Sequence, residues 1–152
     1  MEHMPKSFNR DGFTLVELAV VVAILGILTS IAIPRYMLLQ HQARRAELPW
    51  MVDSIKTAQH AFHAYEDTYI DISAFHPRST PTRTRTQWTA GSDFDRLDWE
   101  PDGAVWGIYR VTSDGQTFTV IGESDTDGDG ERARFVSTEI ISTFSETGTH
   151  IF

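Results

Sequence analysis

FTLVELAVVVAILGILTSIAI, running from Phe13 to Ile33, contains one charge, Glu17, and stops at Pro34 and Arg35. A helix of about 20 such residues rises roughly 30 Å, the hydrocarbon thickness of a bilayer. The segment is therefore competent to span a membrane. The polar residues ahead of it, MEHMPKSFNRDG, carry Lys6 and Arg10 and look like the charged flank of a secretory signal. No small-x-small cleavage site follows the apolar run, because Pro34, Arg35 and Tyr36 stand there. Two readings remain: an uncleaved anchor, or a cut made ahead of the apolar run. Gly12 marks that junction, where a backbone lacking Cβ can lie extended in a protease cleft. Glu17 left unpaired in hydrocarbon costs on the order of a few kcal/mol, so it needs a partner, a proton, or a position near enough the interface to reach water.

The whole chain has 152 residues, 41% of them hydrophobic and 22% charged, which suffices for one modest packed domain. Its net charge of −8 opposes nucleic acid or anionic lipid as the principal partner. The absence of cysteine removes disulfides, thiol catalysis and thiolate metal sites together. No P-loop, dinucleotide fingerprint, GxSxG or HExxH occurs, so neither an enzyme nor an organic cofactor is expected.

After Pro34 the pattern becomes amphipathic. Leu48, Met51, Ile55, Ala58, Phe62, Tyr65 and Tyr69 recur at alternating helical spacings and paint one stripe that needs a packing surface. Pro49 is expected to bend this helix. His41, His60 and His63 match no zinc spacing. Residues 70–104, rich in Pro, Gly, Ser, Thr and Asp, read as a long connection with little regular structure. Within it Arg78, Arg83 and Arg85 approach Trp88, and Asp93, Asp95, Asp98, Glu100 and Asp102 follow. Solvation, pairing between subunits and nucleic-acid binding are the three readings of that patch, in that order.

AVWGIYRVT, residues 104–112, and TFTVIGE flank the turn SDGQ and form a hairpin, while ARFVSTEIISTF supplies a third strand or strand pair. SETGTHIF at the end reads as an exposed or edge segment. The fold class expected is α+β: a long N-terminal spine helix, half membrane-embedded and half amphipathic, packed on a small antiparallel sheet. Between strands lies SDTDGDGE, residues 124–131, where Asp125, Asp127 and Asp129 alternate ahead of Gly130 as in the opening half of an EF-hand loop. The twelfth loop position is Val136, so the bidentate glutamate is missing. Calcium held by Asp125, Asp127, Asp129 and Glu131 is nonetheless the expectation. Backbone carbonyls, water, or distant acids such as Glu123 and Glu139 would complete the shell, giving an affinity suited to extracellular calcium. The alternative is a solvated acidic turn. An ion there would clip strands in a chain that has no disulfide.

GFTLVELAVVVAILGILTSIAIPRY, Gly12 to Tyr36, resembles the class III signal of type IV pilins and type II secretion pseudopilins. Gly12 precedes an aromatic Phe13, Glu17 stands at the family's offset, and Pro34 closes the apolar run. The resemblance implies a leader over 1–12, cut between Gly12 and Phe13 by a prepilin peptidase, and N-methylation of Phe13. It further implies a transmembrane and assembly helix over 13–34, the amphipathic half of the spine over 35–69, and a globular head over 70–152. Cleavage creates an ammonium at Phe13 that can pair with Glu17 of an adjacent subunit and set its register. The implied partners are further copies of the chain, the peptidase, an inner-membrane assembly platform and minor pilins, with no nucleic acid. The implied location is the bacterial inner membrane as precursor, then a surface or periplasm-spanning filament. A major pilin is the first reading and a type II secretion pseudopilin the second, VWGIYRV at 105–111 being a faint echo of a pseudopilin DPWGxPY-like motif. An uncleaved, membrane-anchored calcium-binding module is the third.

Overall fold

The computed structural model describes residues 12–152 and divides into two units, one reaching Leu38 and the other Leu39–Phe152. Of the leader, only Gly12 lies within the described residues.

In the first unit, helix α1 (Leu15–Arg45) begins at a capping box written T-x-x-E. Thr14 Oγ1 accepts the Glu17 N–H at 3.2 Å, and Glu17 Oε2 accepts both the Thr14 N–H and its hydroxyl at 2.8 Å. The hydroxyls of Thr29 and Ser30 donate back to the carbonyls of Leu25 and Ile27 at 2.7 Å, so neither is left unpaired within the apolar run. Pro34 sits inside the helix without ending it. No residue of α1 is buried, and it opens the one helical stretch among the described residues long and apolar enough to cross a membrane.

In the second unit α1 continues to Arg45, and α2 (Glu47–Glu66) follows across Ala46. Pro49 has no N–H to donate to the Arg45 carbonyl, which is why the helix interrupts at Ala46 rather than at the proline itself. Helix α2 ends where Asp67 adopts a left-handed conformation and donates its N–H to the His63 carbonyl at 2.9 Å. Its buried line is Leu48, Val52, Ile55 and Gln59. The expected stripe is corrected at its end: Tyr65 is 93% exposed and Tyr69 lies beyond the helix.

Helix α2 packs on strands of a five-stranded antiparallel sheet. That sheet contains β1 (Ile72–His76), β4 (Ile108–Ser113), β5 (Phe118–Ser124), β6 (Ala133–Thr138) and β7 (Phe144–Ser145), in the order β1-β4-β5-β6-β7. A second, two-stranded sheet pairs β2 (Thr86–Gln87) with β3 (Ala104–Val105). The hairpin β4–β5 turns as the sequence predicts, with Asp114 Oδ1 accepting the N–H groups of Gln116 and Thr117 at 2.9 and 2.7 Å. Gly122 on β5 faces α2, where a Cβ would come within 2.7 Å of Val52 Cγ2. Only glycine permits that approach.

The segment 70–104 is more ordered than its composition suggests. It contributes β1, β2 and a 3-10 helix, Asp93–Leu97. Trp88 is 6% exposed and packs edge to face against Phe94 and Trp99, each 5.4 Å between ring centres. It is therefore a core residue, and its indole is unavailable for stacking on a base. The final segment is part edge and part core. β7 pairs at the sheet edge with β6, while Phe152 is buried. Arg45 holds the intervening chain, its guanidinium donating to Ser145 Oγ, the Gly148 carbonyl and the Thr149 carbonyl at 2.9, 3.2 and 3.4 Å.

Candidate functional site

Two places carry the residues singled out from sequence, one in each unit. In the first, Gly12 and Phe13 are exposed, Phe13 by 87%, ahead of the first turn of α1. Glu17 lies in that turn with one carboxylate oxygen engaged by Thr14. The arrangement presents an accessible Gly12–Phe13 bond followed by a helix that is apolar on every side. The only charge of that apolar run stands one turn from the bond.

In the second unit the acidic loop joins β5 to β6. Asp125, Asp127 and Asp129 each bring one carboxylate oxygen to within 4.8 Å of the others. Gly128 and Gly130 take positive φ values of 75° and 93°, which lets the loop turn back on itself and points their N–H groups at Asp125, 2.7 and 3.2 Å from its oxygens. Asp129 Oδ1 accepts the Glu131 N–H at 2.8 Å. Asp127 Oδ1 is buried without a hydrogen-bond partner, and an orphaned carboxylate oxygen among three converging acids is what a hard cation requires. The residues present thus fit a divalent ion. Glu131 is exposed and its carboxylate is not among the three. Neither distant acid is spare: Glu123 pairs with Arg132 at 3.1 Å and Arg134 at 3.8 Å, and Glu139 Oε2 accepts the Phe118 N–H at 3.4 Å.

The loop is also anchored. Thr126, fully buried, donates its N–H to the Phe152 carbonyl at 2.9 Å, and its hydroxyl lies 3.5 Å from His41 Nδ1. Arg83 Nε would lie 3.7 Å from a Cβ placed on Gly128, so a cation from the 70–104 segment borders the acidic turn. Neither His41 nor Arg83 is readable from sequence as a neighbour, since each comes from more than 40 residues away.

Sequence reasoning also missed Glu47, the first residue of α2. Its Oε1 accepts the Trp106 N–H at 2.6 Å and the Tyr109 hydroxyl at 3.4 Å, and its Oε2 faces Arg85 at 3.6 Å. The WG pair at 106–107 is thereby held against the spine. Burial pushes the Glu47 carboxyl above the ordinary glutamate range, outweighing its hydrogen bond from Trp106 and the charge of Arg85. Tyr109 is pushed well up by burial and by that carboxylate. A carboxyl whose folded pKa is raised binds its proton more readily folded than unfolded, so its contribution to stability grows as pH falls through the folded pKa and is complete below the ordinary value. Glu47→Gln is therefore expected to flatten the stability profile in weakly acidic solution and to stay within about 1 kcal/mol of the parent at neutral pH, because the amide oxygen still accepts from Trp106. Glu47→Ala orphans that N–H and is expected to cost about 1–3 kcal/mol. Urea titrations at a series of pH values check both, and a Gln variant with an unchanged profile contradicts the assignment.

The family model described as the prokaryotic N-terminal methylation motif matches residues 7–33. Three curated proteins are similar to the chain. The type IV major pilin protein PilA of Myxococcus xanthus is 43% identical over 65 residues, 43% of this chain and 29% of that one. The type IV narrow pilus major component PilA5 of Thermus thermophilus is 45% identical over 50 residues, 33% of this chain and 43% of that one. The type II secretion system core protein G of Pseudomonas aeruginosa is 27% identical over 136 residues, 80% of this chain and 93% of that one. No solved structure matches significantly. The chain spans less than half the length of the first two relatives. By its methylation motif and these relatives, the N-terminal segment is similar to that of type IV pilins and of a type II secretion core protein.

Proposed function

We propose that the chain is the major structural subunit of a type IV pilus, cleaved between Gly12 and Phe13, N-methylated at Phe13 and polymerised through α1. The observation that carries this reading is the methylation motif over residues 7–33 together with α1, none of whose residues is buried. An apolar helix with no buried residue needs either lipid or other helices, and a filament core offers the second when the first is left. The new ammonium at Phe13 pairs with Glu17 of the neighbouring subunit, so the one acid of the apolar run gains its counter-charge through assembly. We assign this pair to register rather than to net stability, because desolvated pairs are not dependably stabilising. The inner membrane holds the precursor, and an assembly platform and minor subunits extract it. The pilins among the relatives favour a surface filament, and the similarity to a type II secretion core protein along most of the chain supports a periplasmic pseudopilus as the second reading. Shearing cells separates the two. Abundant chain in the sheared fraction supports the pilus, whereas processed chain confined to the envelope supports the pseudopilus.

Asp125, Asp127 and Asp129 hold a calcium ion in this reading, with carbonyl and water oxygens completing its shell. The ion would neutralise three converging carboxylates and clip β5 to β6 where no disulfide exists. Saturating calcium is expected to raise the melting temperature of the detergent-solubilised chain by roughly 5 °C over a chelator-treated sample, with Asp127→Asn abolishing the difference. Identical melting in both conditions rules the ion out.

A further inference from the structure

Trp50 stands on α2 with 70% of its surface exposed, although tryptophan is among the side chains that gain most from burial. Together with Glu47 and Arg85 it is shared by two adjacent grooves. On one side a groove of about 610 Å³ is walled by Arg44, Arg85 and Trp106. Arg44 lies 4.4 Å over the Trp106 ring and Arg85 5.7 Å from its centre. Arg85 is balanced by Glu47 at 3.6 Å and keeps half its side chain in solvent, whereas Arg44 makes no ion pair among the described residues. On the other side a groove of about 420 Å³ is rimmed by Glu100 and Asp102. Asp93 and Asp98, close by in sequence, are exposed as well, and none of these four carboxylates makes an ion pair among the described residues.

Each molecule thus displays an aromatic recess with one unpaired arginine, Arg44, and beside it unpaired carboxylates at Glu100 and Asp102, in a chain whose overall charge is −8. Tryptophan and arginine are the residues most enriched at the energetic centres of interfaces, and complementary charge fixes partner and register. We propose that the Trp50–Arg44 recess of one copy receives the Asp98–Asp102 strip of a second copy of this chain. Two different patches in contact make a heterologous interface, which propagates as an open helix when its rotation does not close. The inference rests on the filament reading and adds to it a head-to-head contact, separate from the N-terminal helices.

The test places p-benzoylphenylalanine at position 50 of the full-length chain in its own cells, with photocrosslinking on sheared filaments and mass-spectrometric mapping of the crosslink. Attachment to residues 93–102 of another copy is the expected result. Attachment elsewhere on the copy, or to a different protein, overturns the proposal. In parallel, Arg44→Glu is expected to lower filament yield about tenfold or more while leaving the melting temperature of the solubilised chain unchanged. Adding Glu100→Arg and Asp102→Arg to that variant is expected to restore it. Full yield in Arg44→Glu, or loss without rescue by the swap, overturns the pairing. A parent chain that forms no filament at all refutes instead the filament reading on which the inference rests.

Discussion

Glu17→Ala is expected to abolish filaments while the chain stays membrane-inserted and its head stays folded. Two functions are lost together in that variant: the carboxylate proposed to meet the new ammonium of the next subunit, and the cap that takes the N–H and hydroxyl of Thr14 at 2.8 Å. The cap is worth about 0.5–2 kcal/mol of helix start, which frays one turn and leaves the rest of α1 intact. Glu17→Gln separates the two roles, since an amide oxygen still caps Thr14 but carries no charge. If pairing sets register, the Gln variant fails to assemble as completely as the Ala variant. Filaments at parental yield from Glu17→Gln, scored by electron microscopy of sheared material, would show that a counter-charge is not what assembly needs from this position.

Gln59→Leu is expected to lower the stability of the head by about 2–5 kcal/mol, a large part of what a domain of this size possesses. Gln59 is fully buried on the face of α2 that meets the sheet. Its Nε2 donates to the Ile70 carbonyl at 2.8 Å and its Oε1 accepts the Ile70 N–H at 3.1 Å, so one amide satisfies both backbone groups of a buried residue. Leucine matches the volume and supplies neither bond, leaving two desolvated polar groups at about 1–3 kcal/mol each. Denaturant unfolding of the full chain in detergent, followed by the near-ultraviolet signal of its tryptophans, reads the loss. A change under 1 kcal/mol would mean that water or a shifted backbone replaces the amide.

Gln59 also shows where sequence reading stops. A glutamine on a helix counts as a polar-face residue by periodicity, so the apolar stripe falls one step aside, through Ala58 to Tyr65, and ends on an exposed ring. The signal that places α1 is of another kind: a run with one charge is decided by composition alone. The β4–β5 hairpin was legible for a similar reason, because a DG turn between β-branched runs is local information. β1 was not, since its partner Val111 lies far along the chain and its five residues sit among turn formers. Trp88 shows the opposite limit: nearby arginines in the sequence suggest a surface patch, while Phe94, Trp99 and Tyr109 enclose it in space. The acidic loop was legible as a donor set, through alternate aspartates and glycines, but not as an anchored one, because Thr126, His41 and Phe152 meet only in the fold. Glu47 gave no sign at all, its partners being Trp106 and Tyr109 across the head.

The most direct test of the central claim is the mass of the N-terminal peptide of the chain recovered from sheared surface filaments. A peptide beginning at N-methylated Phe13, abundant in that fraction, is the predicted result and joins cleavage, methylation and assembly in one observation. A chain that stays in the envelope with its start intact at Met1 would contradict it.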